Sequence, residues 1–336
     1  MKVSEIGEFG LINLLTEMVQ RSRDAEKEAW RELTIGIGDD AAAWQGDDSI
    51  QLATIDALIE GVHFNLDTAS WEEAGWKALA VNLSDIAAMG GLPRYALVSL
   101  ALPDNSEVED VTALYRGIIE LAQQSEVAIA GGNISSAPQL SIHIAVLGTA
   151  GKDRQVLTRS AARPREKVAV TGYLGAAAAG LDMLNRGLQF ETETAISLRR
   201  AFLKPYPRIA EGRLLAEQGV KAAIDISDGL LADLSHVCKA SGVSARIEID
   251  RIPVAPPVKS HFGERALELA LAGGEDYELL FTGSQKTIDR VSTAVSCQIT
   301  VIGEITASKA GEVVLVDSQG NPVELAGKGW DHFASR

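Results

Sequence analysis

Acidic residues recur at turning points of this 336-residue chain. Asp39 and Asp40 follow the glycines of GIGDDAAAW, Asp56 closes the apolar run QLATID, and Asp85 lies inside KALAVNLSDIAAMGG. Asp225 and Asp228 bracket IDISDGL, while Glu275 and Asp276 follow the paired glycines of LAGGEDYELLF. One Asp after a strand is ordinarily a turn former or helix N-cap, and Asp228 has the position of an N-cap. Asp85 is different, because a carboxylate in a helix that is apolar on most faces must be paired, protonated or bound to metal. Two like charges brought to ~4 Å repel by about 4 kcal/mol at an effective dielectric of ~20, so converging acids need a cation among them. Oxygen ligands without a histidine or cysteine cluster favour a hard cation such as Mg²⁺, which is commonly shared between carboxylates and substrate phosphates.

Three glycine stretches accompany the acids: GIG before Asp39, GGN at Gly131 to Asn133, and SDGLL at Ser227 to Leu231. Each lets backbone N–H groups approach a bound anion, although a glycine pair alone is more often a plain turn. The chain contains no GK[ST] signature, which excludes an ordinary P-loop kinase. The net charge of −15 argues against nucleic acid, whose backbone is bound by clustered Lys and Arg. Phosphate must then be met through metal.

The elements that carry these residues alternate. Phe9, Ile12, Leu15, Met18 and Val19 recur at helical spacing and predict an amphipathic N-terminal helix that ends in the polar run RSRDAEKE. A strand is expected at Ile50 to Ile55, then a buried helix opened by a capping box at Ser70 and Glu73 and stopped at Gly90-Gly91. Next come a strand from Tyr95 to Leu102, a helix opened by a second capping box at Ser106 and Glu109, and strands at Val127 to Ala130 and Leu140 to Leu147. Turn formers and charges from Gly148 to Arg154 mark a boundary between an N-terminal domain, 1–150, and a C-terminal domain, 151–336. The second half reads as strand KVAVTG, an Ala-rich helix, strand AAIDIS, a helix from Asp228, strands ARIEID, YELLFTG and QITVIGEI, and the hairpin EVVLVDSQGNPVEL. The fold class is α/β (α+β) with a mixed sheet in each of two domains.

Cys238 and Cys297 are the chain's two cysteines, too few for a disulfide framework or a thiolate metal site. With 46% hydrophobic residues but no window near the ~18 apolar residues of a membrane helix, and with Glu5 and Glu8 where a signal sequence is basic and then apolar, a cytoplasmic protein is expected.

Taken in order, GIGDDAA, TIDALIEGVHF, KALAVNLSDIAAMGGLPRYALVSLALP, LTRSAARP, DISDGLLADL and GGEDYELLFT resemble the thiamine-monophosphate kinase family across nearly the whole chain. That family belongs to the aminoimidazole ribonucleotide synthetase-like superfamily. The resemblance implies a homodimer formed through the N-terminal domains, and ATP bound with several Mg²⁺ ions in a cleft between an N-terminal barrel and the C-terminal domain. It implies that the N-terminal domain carries the metal and ATP site and the C-terminal one nucleotide and substrate contacts. By motif, the metal ligands are Asp40, Asp56, Asp85, Asp225 and Asp228, with Thr54, Ile55 and Asn133 contributing; Asp85, Asp225 and Asp228 are the acids at the reacting phosphates. Asp39 is left as a neighbour of the ligand Asp40. Tyr115, Gly132, Asn133, Arg159 and Ser227 are implied to contact ATP, and His63, Glu275 and Trp330 the thiamine phosphate, where an indole face suits a cationic ring.

Two positions depart from the family pattern. Ile55 stands where many relatives have Thr, leaving a main-chain carbonyl as its contact, and Asn133 stands where many have Asp, offering only a neutral carbonyl oxygen. The implied reaction is in-line transfer of the ATP γ-phosphoryl group to an already ionised phosphate, which needs alignment and charge neutralisation and no strong base. His63 is either a hydrogen-bond donor to substrate or a phosphorylated intermediate. The alternatives in the superfamily are a purine-pathway synthetase and a non-catalytic Mg²⁺- and nucleotide-binding relative. A selenophosphate synthetase would carry a reactive cysteine near its N-terminus, and none precedes Cys238.

Overall fold

The computed structural model describes residues 2–24, 26–35, 43–44, 49–150 and 155–323. The chain divides into two compact units, one of Met1–Ile86 with Leu92–Arg154 and one of Ala87–Gly91 with Gln155–Arg336. Two mixed α/β units accord with the expected fold class.

The first unit's described elements are α1 (Val3–Ser22), α2 (Glu28–Glu32), β1 (Leu33–Ile35), β2 (Ala43–Trp44), β3 (Gln51–Ile59), α3 (Trp71–Ala88), β4 (Gly91–Leu102), α4 (Val108–Gln124), β5 (Ala128–Ser136) and β6 (Ser141–Ala150). A four-stranded sheet runs in the order β3-β6-β4-β5, with β3 and β6 antiparallel and β4 and β5 parallel. Ile142, Ile144 and Val146 alternate along β6 and are fully buried, so strand periodicity sets which face is the core. Leu11, Leu15 and Val19 form the buried stripe of α1.

The capping box of α3 forms: Glu73 N–H donates to Ser70 Oγ at 3.2 Å, and Ser70 N–H to Glu73 Oε2 at 2.8 Å. The second one does not. α4 begins at Val108 with Glu107 as N-cap and no side-chain cap bond, while Glu109 accepts from Arg116 instead. Two strands run further than their apolar residues suggest. β3 continues to Ile59, so Asp56 lies inside the strand and does not end it, and β6 continues through Gly148 to Ala150. Gly131 to Asn133 are also inside a strand, β5, because a Cβ on Gly132 would overlap the Val98 carbonyl oxygen of β4. GGN is therefore a close approach of two strands and not a turn.

The second unit's described elements are β7 (Lys167–Thr171), α5 (Ala176–Arg186), α6 (Thr192–Leu203), α7 (Ile209–Glu217), β8 (Ala222–Asp225), α8 (Leu230–Ser241), β9 (Ser244–Glu248), α9 (Pro256–His261), α10 (Arg265–Ala272), β10 (Leu279–Gly283), α11 (Gln285–Ala294), β11 (Ile299–Thr306) and β12 (Val313–Val316). Its six-stranded sheet has the order β12-β9-β11-β7-β10-β8 and is antiparallel except for the β12 and β9 pair. Val168, Val170, Ile224 and Leu280 of the sheet and Leu234 and Val237 of α8 share one core. Among the described residues the hairpin after β12 returns as a bridge from Val316 to Pro322, with the Val323 N–H donating to the Leu315 carbonyl at 2.9 Å, across a turn held by Asp317. α8 starts at Leu230 with Gly229, at φ 115°, as its N-cap, so Asp228 does not cap it.

Candidate functional site

Thr54 and Asp56 are two residues apart on β3 and share one face of the strand, opposite Val146 and Ile144 of β6. That face meets α3: Thr54 Oγ1 donates to Asp85 Oδ2 at 2.5 Å. Asp56 and Asp85 share a hydrogen bond, and the Asp56 carboxyl is pushed up to about 6, first by burial, then by the Asp85 charge and that bond. Two carboxyls held this close oppose each other's ionisation, and a cation between them would offset that repulsion. Ile55 points to the opposite face and is 66% exposed, so its side chain takes no part in this cluster.

Other implied site residues of this unit are set differently. Asn133 is exposed on β5, in register with Ser99 of β4. Tyr115 is a buried residue of α4, 6% exposed, with its phenol pushed well up by burial. His63 sits in the turn after β3, where its ring Nδ1 accepts the Ile59 N–H at 3.1 Å and its own N–H donates to the Ile59 carbonyl at 2.9 Å. The Nδ1 lone pair is thereby engaged, and the neutral ring carries its proton on Nε2. The ammonium of Lys77, a side chain 1% exposed, points at the His63 carbonyl oxygen from 3.5 Å. Asp39, Asp40 and Trp330 lie outside the described residues.

In the second unit the stretches ISDG and GGEDYE lie side by side as backbone. Glu275 N–H donates to the Ser227 carbonyl at 2.8 Å, Tyr277 N–H to the Ile226 carbonyl at 2.9 Å, and Ile226 N–H to the Glu278 carbonyl at 2.8 Å. Glu275 and Tyr277 pay for this lacing with φ of 59° and 49°, conformations that L-residues hold only when their surroundings enforce them. Gly274, at φ 70°, is needed for the same reason, since a Cβ there would come within 2.6 Å of the Ser227 carbonyl oxygen. Asp225, Ser227, Asp228 and Glu275 are thus brought to one place, with Asp225 only 3% exposed at the end of β8. Arg159 is exposed and follows Thr158, whose bridge to Ala222 sets it beside the start of β8. Its carbonyl accepts from Ser241 Oγ at 2.9 Å.

Asp233, absent from the sequence-based site, is central to this geometry. Its Oδ2 accepts the N–H groups of Ser227, Asp228 and Gly229, each at 3.1 Å. Its carboxyl is pushed up to about 8 by burial and by the charges of Asp225 and Asp228, against the opposing effect of the Asp228 and Gly229 N–H groups. The signal was available: Asp233 falls three residues after Leu230 and one before Leu234, on the buried stripe of α8. The same bonds correct the reading of SDGLL as an anion turn, because three of its N–H groups are already taken.

Two further acids hold the GGEDYE side. Asp276 accepts the Gly175 N–H at 2.8 Å and the Ala177 N–H at 3.3 Å at the start of α5, and burial is the main cause that pushes it up to about 7. Glu278, 7% exposed, takes Arg208 Nε at 2.7 Å and Nη2 at 2.5 Å and the Thr171 hydroxyl at 2.5 Å. Burial works against the Arg208 charge, but the fork to Glu278 holds the guanidinium above its ordinary value.

Among the described residues no group of three or more acidic, His or Cys side chains forms a ready metal cage. What exists is paired carboxylates with a hydroxyl, an all-oxygen donor set that suits a hard divalent cation completing its shell with phosphate oxygens. Among the same residues no helix is long and apolar enough to cross a membrane.

Family models for AIR synthase related protein match here, the N-terminal domain over residues 38–150 and the C-terminal domain over 166–316. A thiamine-monophosphate kinase from Aquifex aeolicus is 35% identical over 336 residues, covering 99% of this chain and all of that one. A thiamine-monophosphate kinase structure from Stenotrophomonas maltophilia superposes with a TM-score of 0.81 at 33% identity, covering 90% of this chain and 95% of that one. AaThiL complexed with AMPPCP and TMP superposes with a TM-score of 0.77 at 33% identity over 99% of both chains. With the ISDG and GGEDYE stretches laced as above and both domain models matched, the chain belongs to the thiamine-monophosphate kinase family of AIR synthase related proteins.

Proposed function

We propose that the protein transfers the γ-phosphoryl group of ATP to the phosphate of thiamine monophosphate, forming thiamine diphosphate and ADP. The observation that carries this reading is full-length similarity to a thiamine-monophosphate kinase, joined to the close Asp56, Asp85 and Thr54 cluster. The AMPPCP and TMP held by AaThiL support ATP as co-substrate and a monophosphate as acceptor. Magnesium, bound by Asp56, Asp85, Asp225 and Asp228 with Asp40, would neutralise the phosphates and hold them in line.

The chain's own groups orient the reactants. Thr54 fixes the Asp85 carboxylate, and Ser227 and Arg159 belong to the nucleotide contacts, with Tyr115, Gly132 and Asn133 assigned there by motif. His63 acts as a donor from Nε2–H to the acceptor phosphate, and with Nδ1 already bonded to the Ile59 N–H it is no nucleophile. Transfer is then a single displacement. Glu275 and Trp330 complete the thiamine side.

Two coarser features extend the proposal. A homodimer through the N-terminal unit is supported by β3, an edge strand that exposes Ile55. A cytoplasmic setting is supported by two free thiols, Cys238 and Cys297, each pushed up to about 11 by burial. Incubating purified protein with ATP, Mg²⁺ and thiamine monophosphate tests the reaction: thiamine diphosphate and ADP are expected in equal amounts. ADP formation with another acceptor and none with thiamine monophosphate would contradict it.

A further inference from the structure

Three consecutive backbone N–H groups at the start of a helix form the kind of concavity that elsewhere receives a phosphate oxygen. In this chain the Ser227, Asp228 and Gly229 N–H groups converge instead on one oxygen of Asp233, a side chain that is 2% exposed within α8. An internal carboxyl oxygen occupies the place of the anion's oxygen. From the other side, the Ser227 and Ile226 carbonyls accept the Glu275 and Tyr277 N–H groups, so the ISDG backbone is bonded on both edges. A loop fixed in this way has no freedom to turn its N–H groups outward, and the side chains of Asp225 and Asp228 leave it in set directions.

We propose that Asp233 is a positioning residue, which fixes the backbone carrying Asp225 and Asp228 so that these two acids, and not the loop's N–H groups, face the bound nucleotide. It contacts neither metal nor substrate; it acts through the loop. The inference rests on reading Asp225 and Asp228 as magnesium ligands, and it deepens that reading by naming what aims them. Partners that orient a metal ligand typically contribute about 10- to 100-fold to metal affinity. Substituting Asp233 by Ala removes all three acceptor bonds, whereas Asn retains a carbonyl oxygen that can accept them in a slightly different side-chain geometry.

The test is carried out on the full chain with two independent readouts. The first is amide hydrogen exchange at residues 227–229 without metal or nucleotide. The wild type is expected to protect these amides well above an open loop, and Asp233→Ala to speed their exchange by about tenfold or more while β7 and β10 amides stay unchanged. Asp233→Asn should fall between. The second is calorimetric titration of Mg²⁺ into protein saturated with AMPPCP, where affinity should drop by about tenfold or more in Asp233→Ala, with partial recovery in Asp233→Asn. Rapid exchange at 227–229 already in the wild type, which needs no folded variant, would overturn the proposal. So would faster exchange in Asp233→Ala with wild-type Mg²⁺ affinity. If the wild type itself bound no Mg²⁺ while the exchange results held, the magnesium reading of Asp225 and Asp228 would fall and the fixing of the loop by Asp233 would stand.

Discussion

Asp85 combines a cost and a use in one side chain. It projects from α3 toward Thr54 and Asp56, and its charge helps raise the Asp56 carboxyl to about 6. A neutral Asn at 85 removes that repulsion, so Asp85→Asn is expected to unfold at the same temperature as the wild type or higher. Turnover should fall by about 100-fold or more, as when one preorganised electrostatic group is lost, and the Mg²⁺ requirement should rise. Thermal melts and steady-state rates on one preparation check both; wild-type rates would remove Asp85 from the site. His63 gives a second test. With Nδ1 bonded to Ile59, the group it offers is Nε2–H, and Gln places an amide N–H near that position. His63→Ala should raise KM for thiamine monophosphate by roughly 10- to 100-fold, the worth of a hydrogen bond to a charged group, and His63→Gln by less. If Gln and Ala were equally impaired, a simple donor role would be wrong.

At the scale of elements, Asp276 ties the GGEDYE stretch to the start of α5, and its carboxyl lies at about 7 in the folded protein against 3.8 for an unperturbed Asp. Because the folded value is raised, the proton is held more tightly in the folded state. The stability that this proton contributes is fully present below about 3.8 and is lost as pH rises through about 7. Asp276→Asn carries no titrating group, so wild-type unfolding temperature should decline relative to the variant from about pH 4 to about pH 7 and run parallel to it above that. Curves parallel over the whole range would contradict a buried, raised carboxyl.

Much of this scaffold was legible in the chain. Strand alternation and the Ser70 and Glu73 capping box are local patterns, and the structure reproduces them because nothing tertiary competes. The extension of β3 beyond Asp56 was not legible, since residues 57–59 gain strand structure by pairing with β6, a segment more than eighty residues away. GGN reads as a turn from composition and becomes strand because the approach of β4 admits no side chain at Gly132. Acids in apolar or glycine-rich settings pointed to Asp56, Asp85 and Asp225. Asp233 was legible in principle as a carboxylate on an apolar helical stripe, but its three N–H partners depend on a turn whose geometry is tertiary.

For the whole molecule, the exposed face of β3 predicts assembly. Ile55 is 66% exposed on an edge strand, and a Lys there would leave the folded unit intact while opposing edge-to-edge pairing. Sedimentation velocity should show a dimeric wild type and a shift toward monomer for Ile55→Lys; a monomeric wild type, or an unaffected dimer, would contradict an interface at β3. The larger question is how a chain with a net charge of −15 holds a triphosphate. If Asp56, Asp85, Asp225 and Asp228 meet phosphate only through magnesium, AMPPCP should bind tightly with Mg²⁺ and about 100-fold or more weaker in EDTA, where unscreened carboxylates face its phosphates. Equal affinity in both would mean that the chain contacts the phosphates directly and that the acids serve another purpose.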